Sequence, residues 1–324
     1  MLNRRDFVLG ATGAGVLAAS ARGAESPSPV LAYGLFDTHA HLISTDEVRY
    51  PRASADTGGT PPPGVGVAVP EVEKLLTWMD EAHVAGAVAV QRRGTYAFNN
   101  NYILDSTDRF RSRLMPVVVL DATDPGTPEL LQQYVRERGL AGLRLTGALG
   151  EGGTLPWLSS AAALRSWAVA EEHGLAVVIM TSPPGRVPQA LGEYQRLAQQ
   201  FPNVRLVLDH LAWPEVRGAP DYGIDAALRA LAPLRNVHFK FTSINIEQLT
   251  AARLAPAELL RRVVDVFGPE RVMWGSDVGN SVGTYAEFVR NALAATAQLN
   301  AAEQRQVLRD TGMRVFVRGG LRRT

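Results

Sequence analysis

Cysteine is absent from the 324 residues. That removes thiolate zinc sites, cysteine nucleophiles and disulfides, whatever compartment the protein occupies. Surplus charge is nearly absent too, with 33 Lys and Arg against 32 Asp and Glu, a formal net charge of +1. Without it the chain lacks the long-range attraction that nucleic acid or an anionic membrane needs, and small molecules become the favoured partners. No G-x-G-x-x-G dinucleotide fingerprint follows the first strand candidate. What is present is an ordinary globular composition, 46% hydrophobic and 20% charged, which excludes a disordered tail or a fibre.

The first residues read as a targeting segment. Arg4-Arg5 precedes a Gly-diluted apolar run from Phe7 to about Ala19, and Ala19-Ser20-Ala21 supplies a small-x-small cleavage pattern. A permanent membrane anchor needs about 20 apolar residues, and this run is shorter. The expectation is a twin-arginine export signal over residues 1–24 and a flexible lead-in over 25–32. The mature domain would span 33–324, exported already folded to the periplasm by transient contact with its export machinery and free of the membrane after cleavage.

Beyond the leader, apolar runs rich in Val, Ile, Leu and Phe alternate with helical patterns. Strand candidates start at Gly34, Ala87, Leu114, Gly142, Ala176, Val204, Val237 and Val272. Amphipathic stretches fall at Glu71 to His83, Pro128 to Arg138, Ala161 to His173, Val187 to Gln200, Pro256 to Phe267 and Tyr285 to Ala295. Continuous apolar strands separated by helices predict a parallel sheet covered on both faces. Eight such units in this length predict one α/β domain, a TIM-like (β/α)8 barrel. Ser54 to Pro70, rich in Pro and Gly, reads as a long loop after the first strand.

In such a barrel, chemistry belongs at the carboxyl ends of the strands. Asp37-x-His39-x-His41 closes the first strand, and a spacing of two puts both imidazoles on one face. Leu208-Asp209-His210 closes the sixth and Trp274-Gly275-Ser276-Asp277 the eighth. Imidazoles with a carboxylate, with or without a metal, suit activation of water beside a polarised carbonyl. Arg144 stands in an apolar strand, where its charge needs an anion or a carboxylate, either of a substrate or of an internal ion pair. Arg92, Arg93 and Tyr96 follow the second strand and Arg186 the fifth, as substrate contacts or as solvated charge. Lys240 and Ser243 have the same two readings. His83, His173 and His238 read as structural.

Gly279-Asn280-Ser281-Val282-Gly283 matches the G-x-S-x-G nucleophile elbow. In that fold the catalytic histidine follows the serine, yet the last histidine here is His238, which argues against a serine hydrolase.

Asp37-Thr38-His39-Ala40-His41, the stretch Asn99 to Asp105, Gly142-Leu143-Arg144, Leu208-Asp209-His210 and Trp274-Gly275-Ser276-Asp277 together resemble the amidohydrolase-related branch of the amidohydrolase superfamily. The nearest likeness is to its lactonase group, and it covers nearly the whole mature chain. The resemblance implies a distorted barrel that opens a lactone or related cyclic or carboxylic ester. It also implies that His39, His41 and His210 polarise the carbonyl while Asp277, an ordinary ionised carboxylate, deprotonates the attacking water. Substrate contacts are expected at Arg144, Tyr96, Asn101, Tyr102 and Arg186, with a substrate that carries a carboxylate. Metal-dependent members place a Lys or Glu after strand four and a His after strand five, where this chain has Arg144-Leu145-Thr146 and Met180-Thr181-Ser182. The expectation is therefore no cofactor; the alternative is one divalent metal such as zinc on His39, His41 and Asp277. Ala212-Trp213 before Pro214, where the group often has Gly and a basic residue, suggests a more apolar or stacking wall. Two rival functions remain at this level: a metal-dependent decarboxylase of the wider family, and a non-catalytic periplasmic binding barrel.

Overall fold

The computed structural model describes residues 34–55, 59, 64–182 and 185–317; the expected leader and lead-in lie outside them. Eight parallel strands follow one another around a single sheet in chain order: β1 (Leu35–Ala40), β2 (Val84–Val90), β3 (Leu114–Val119), β4 (Gly142–Gly147), β5 (Ala176–Thr181), β6 (Arg205–Leu208), β7 (Val237–Thr242) and β8 (Val272–Gly275). The ends of the sheet meet through backbone bonds from Asp277 N–H to His39 O (2.8 Å) and from His41 N–H to Val278 O (2.9 Å). The chain is thus a TIM-like (β/α)8 barrel. Among the described residues no helix is long and apolar enough to cross a membrane.

Strand alternation sorts the side chains. On β7, Phe239 and Phe241 join the outer core under the helices, and the Phe239 ring lies 4.1 Å from that of Phe267 on the helix Pro256–Phe267. His238, Lys240 and Thr242 take the opposite face, inside the barrel. Val88, Val90, Val117, Val178, Val207 and Met273 fill the interior, and Phe316 of the final helix Thr311–Phe316 packs with them. The helix Ala161–Glu172 begins at Ser160, whose hydroxyl accepts from Ala163 N–H, and His173 caps its far end. The helix Ser243–Ala251 after β7 was not anticipated; Thr242 and Asn245 close it with a reciprocal capping box.

Two glycines are dictated by close approach. A Cβ on Gly275 would stand 2.6 Å from the Cβ of His39, so β8 can lie against β1 only without a side chain there. Gly279, at φ +88°, faces the Cβ of His41 at 2.8 Å in the same way. The apparent nucleophile elbow is therefore a lip under the first-strand histidines. Its Ser281 hydroxyl donates to Asp277 Oδ2 at 3.1 Å.

Candidate active site

The site is built on the ends of β1, β6, β7 and β8. The pairing of β1 with β2 is irregular between Asp37 and Ala40, and Asp37 anchors the bend. Its Oδ1 accepts the backbone N–H groups of His39 (2.9 Å) and Ser276 (2.8 Å), and its Oδ2 accepts the Tyr285 hydroxyl at 3.0 Å. His39 and His41 then meet with their Nε2 atoms 3.2 Å apart. His41 Nδ1 lies 2.8 Å from the carbonyl of Val90. A carbonyl only accepts, so Nδ1 carries the hydrogen and His41 Nε2 is a lone pair.

Asp277 adopts a left-handed φ of +55°, which turns its carboxylate inward. Oδ2 accepts from Asn280 Nδ2 (3.0 Å) and Ser281 Oγ (3.1 Å). Oδ1 has no hydrogen-bond partner and stands 3.5 Å from His39 Nε2 and 3.6 Å from His41 Nε2. Burial pushes its pKa up to about 7 against the bonds from Asn280 and Ser281. The sequence expectation of an ordinary ionised carboxylate is corrected: burial outweighs the bonds from Asn280 and Ser281 and the charge of Arg144. The histidines are neutral. Burial and then the Lys240 charge bring His39 down to about 4, and burial holds His41 and His210 well below the imidazole norm.

Asp209 binds the interior together. Oδ2 accepts Nε (2.9 Å) and Nη2 (2.8 Å) of Arg144, while Oδ1 lies 3.2 Å from Lys240 Nζ and 3.3 Å from His39 Nδ1. Burial opposes its charge, but Lys240 and Arg144 outweigh that and hold the carboxyl well below the carboxylate range. Arg144 forms the internal ion pair of its two readings, and it also lines the cavity.

His210 opens a run with Leu211, Ala212 and Trp213 in which every φ lies between 52° and 57°. Left-handed backbone without glycine costs about 1–2 kcal/mol per residue. Asn245 Nδ2 clamps the carbonyl of His210 at 3.0 Å, and Trp213 is buried with its ring 4.8 Å from the imidazole. Trp213 therefore backs His210 and is not among the residues lining the cavity. Ala212→Gly is expected to stabilise the protein by about 0.5–1 kcal/mol and to raise Tm by roughly 1–3 °C, because the left-handed penalty exceeds the added freedom of the unfolded chain. A lower Tm in a thermal melt would show that the turn is not strained.

A cavity of about 280 Å³ opens over these groups; its lining includes His41, Arg92, Arg93, Arg144, Thr146, Thr181, Ser182, His210, Asp277 and Asn280. The other expected substrate residues lie elsewhere. The Tyr96 and Tyr102 hydroxyls accept the backbone N–H groups of Ser44 and Val72 (2.8 and 3.1 Å), tying down the loop that precedes the helix Val72–Glu81. Asn101 is exposed at the start of the helix Asn101–Arg109. Arg186 pairs with Asp225 at 2.6 Å. Arg92 and Arg93 take their place at the cavity, each with a buried Nε that finds no acceptor. His238 bonds at 3.2 Å to its neighbour Asn236 O at the start of β7, and His83 sits just past its helix.

His39, His41 and Asp277 form a group that a metal ion fits, as do His39, Asp209 and His210. In the first group the ligand atoms are 3.2, 3.5 and 3.6 Å apart. The edge of a tetrahedral zinc site with bonds of about 2.0–2.1 Å is about 3.3–3.4 Å.

Barrel, rim position and the grouping of imidazoles with a carboxylate define the chain as a (β/α)8 barrel with a candidate active site at the strand ends. A family model described as Amidohydrolase matches residues 36–318. The chain belongs to the amidohydrolase family and is by that membership a hydrolase-type enzyme. An L-fucono-1,5-lactonase of Burkholderia ambifaria is 31% identical over 104 residues, 31% of this chain and 36% of the lactonase, so the match spans about a third of that relative. Three solved structures share the fold. A candidate 2-pyrone-4,6-dicarboxylic acid hydrolase of Pseudomonas putida has TM-score 0.68 and 22% identity, covering 87% of this chain and 97% of its own. A zinc-bound amidohydrolase of Burkholderia multivorans has TM-score 0.61 and 20% identity, covering 87% and 98%. A 2,6-dihydroxybenzoate decarboxylase of Rhizobium has TM-score 0.61 and 13% identity, covering 87% and 98%.

Proposed function

We propose that the protein opens a lactone bearing a carboxylate, by attack of a water that Asp277 deprotonates. The observation that carries this reading is Asp277 Oδ1, a buried oxygen with no hydrogen-bond partner on a carboxyl that lines the cavity, its other oxygen fixed by Asn280 and Ser281. Oδ1 takes the water proton as the oxygen attacks the carbonyl carbon. When the tetrahedral intermediate collapses, the same proton passes to the ring oxygen as the ester C–O bond breaks. The hydroxy acid formed ionises, so each turnover releases one proton. His39 Nε2–H is directed at the His41 lone pair, and His41 is the imidazole of the pair that lines the cavity. His210 also lines the cavity, with its Nδ1 held 2.7 Å from Thr242 Oγ. A metal on His39, His41 and Asp277 would supply Lewis-acid polarisation of the carbonyl. The Arg4-Arg5 leader supports an enzyme exported in the folded state.

Arg92, Arg93 and Arg144 bring three guanidinium groups to a cavity whose lining holds one carboxylate, Asp277. Among the described residues the hydrogen-bond partners of Arg92 Nη1 and Nη2 are neutral, Thr95 Oγ1 at 2.9 Å and Asn280 Oδ1 at 3.3 Å, which favours an anionic substrate. Arg92→Ala is expected to raise KM for carboxylated lactones by about 10- to 100-fold, the worth of a charge-assisted hydrogen bond, with little effect on neutral lactones. Equal effects on both would remove the carboxylate from the substrate reading.

The experiment is proton release by the purified protein on sugar lactones and pyrone carboxylates, with and without a strong chelator. Turnover that survives the chelator supports the mechanism as written. Turnover abolished by it makes His39 and His41 metal ligands. Carbon dioxide release from aromatic carboxylates with no lactone turnover would favour the decarboxylase reading, to which the Rhizobium structure lends its fold.

A further inference from the structure

Lys240 takes no step in the proposed hydrolysis, yet it lies at the centre of the site. Its side chain is fully buried, its Nζ stands 3.2 Å from both His39 Nδ1 and Asp209 Oδ1, and it rests 5.4 Å over the ring of Phe316. Hydrogen-bond direction around it can be worked out from the far end. Val90 O only accepts, so His41 keeps its hydrogen on Nδ1 and presents a lone pair at Nε2. The 3.2 Å approach of the two Nε2 atoms then requires a hydrogen from His39, which leaves His39 Nδ1 as an acceptor facing the Lys240 ammonium. One direction satisfies the whole chain, from Lys240 through His39 and His41 to Val90.

A metal on His39, His41 and Asp277 needs the reverse arrangement at His39, a lone pair at Nε2 and the hydrogen on Nδ1. That hydrogen would point towards the ammonium. Asp209 Oδ1 is the alternative acceptor, 3.3 Å away, and there the hydrogen would share the oxygen with the Lys240 ammonium at 3.2 Å. We propose that Lys240 is a positioning residue that holds His39 in the tautomer with hydrogen on Nε2. By doing so it weakens capture of a divalent cation by His39, His41 and Asp277 and keeps the His39 Nε2 hydrogen directed at His41. Neither the tautomer nor the metal affinity rests on the hydrolase reading, and both are measured without substrate.

The test uses the full chain labelled with ¹⁵N at histidine and stripped of metal, with the His39 signals assigned by their loss in His39→Gln. Nitrogen shifts are expected to show Nε2 protonated and Nδ1 bare; the opposite pattern overturns the proposal independently of any Lys240 variant. In Lys240→Met, the ion pair of Asp209 with Arg144 remains. Zinc affinity, read by competition with a chromophoric chelator, is expected to tighten by about 10-fold or more, the usual scale for groups that orient a ligand imidazole. Lys240→Arg, which keeps the cation, should stay within about threefold of the unaltered protein. Equal zinc affinity in Lys240→Met and the unaltered protein would overturn the proposal, and would leave the lactone assay free to stand or fall separately.

Discussion

Asp277→Asn is expected to lower lactone turnover by at least about 100-fold, the usual worth of a general base, and to make the protein more stable above neutral pH. The two effects have one cause. In the fold the carboxyl is buried, and desolvation pushes its pKa from the ordinary carboxylate range up to about 7. A raised acid favours the protonated fold, so its contribution to stability is complete below about pH 4 and is lost as pH rises through about 7. Asparagine keeps the shape and still accepts from Asn280 or Ser281, but never carries the charge. The Tm gap between variant and unaltered protein should therefore open between pH 5 and pH 8, by an amount corresponding to a few kcal/mol. In metal-free protein kcat/KM should rise tenfold per pH unit and level off near 7, because the base acts only when ionised. A variant that retains more than about a tenth of the activity would sink the mechanism. A Tm gap independent of pH would mean that some cation offsets the burial of Asp277.

Much of this was legible in the chain before any coordinates. The eight strands appear as apolar runs because parallel strands are buried on both faces, and His39, His41, His210 and Asp277 stand where such strands end. What the sequence could not disclose depends on closure. Asp209 and Arg144 are 65 residues apart, and Lys240 reaches Asp209 only because β6 and β7 are neighbours whose inward faces share one interior. Lys240 was readable as an inward residue of an apolar strand, the same signal that singled out Arg144. Tyr96 and Tyr102 were placed at the substrate because their segment lies at the active rim. Nothing local says that their hydroxyls turn instead to Ser44 and Val72. The left-handed turn from His210 to Trp213 carries no glycine and so gives no sign of itself. The pKa of Asp277 was misjudged for a related reason: desolvation is a property of the closed site.

Asp209→Asn is the substitution expected to damage the fold most, by about 3–5 kcal/mol, the usual cost of removing one partner from a buried ion pair. For a chain of this size that is a fall in Tm on the order of 10 °C. The amide fills the same space, so lost packing cannot be the cause. What remains is charge: Arg144 and Lys240, buried and fully buried respectively, would share the interior with no carboxylate between them. Removing the second cation should then repair part of the damage. Asp209→Asn with Lys240→Met is expected to be more stable than Asp209→Asn alone, with a coupling of about 1 kcal/mol or more between two groups 3.2 Å apart. A double variant no more stable than the single one would show that Lys240 had already escaped its charge, by losing its proton or by reaching water. Replacing such a network with apolar side chains is often neutral or better for stability. Stability alone therefore does not account for two cations and an anion inside the barrel. Their placement does: Asp209 fixes Arg144, which lines the cavity, and holds Lys240 against His39, so a stable charge cluster becomes a means of orienting the groups of the candidate site.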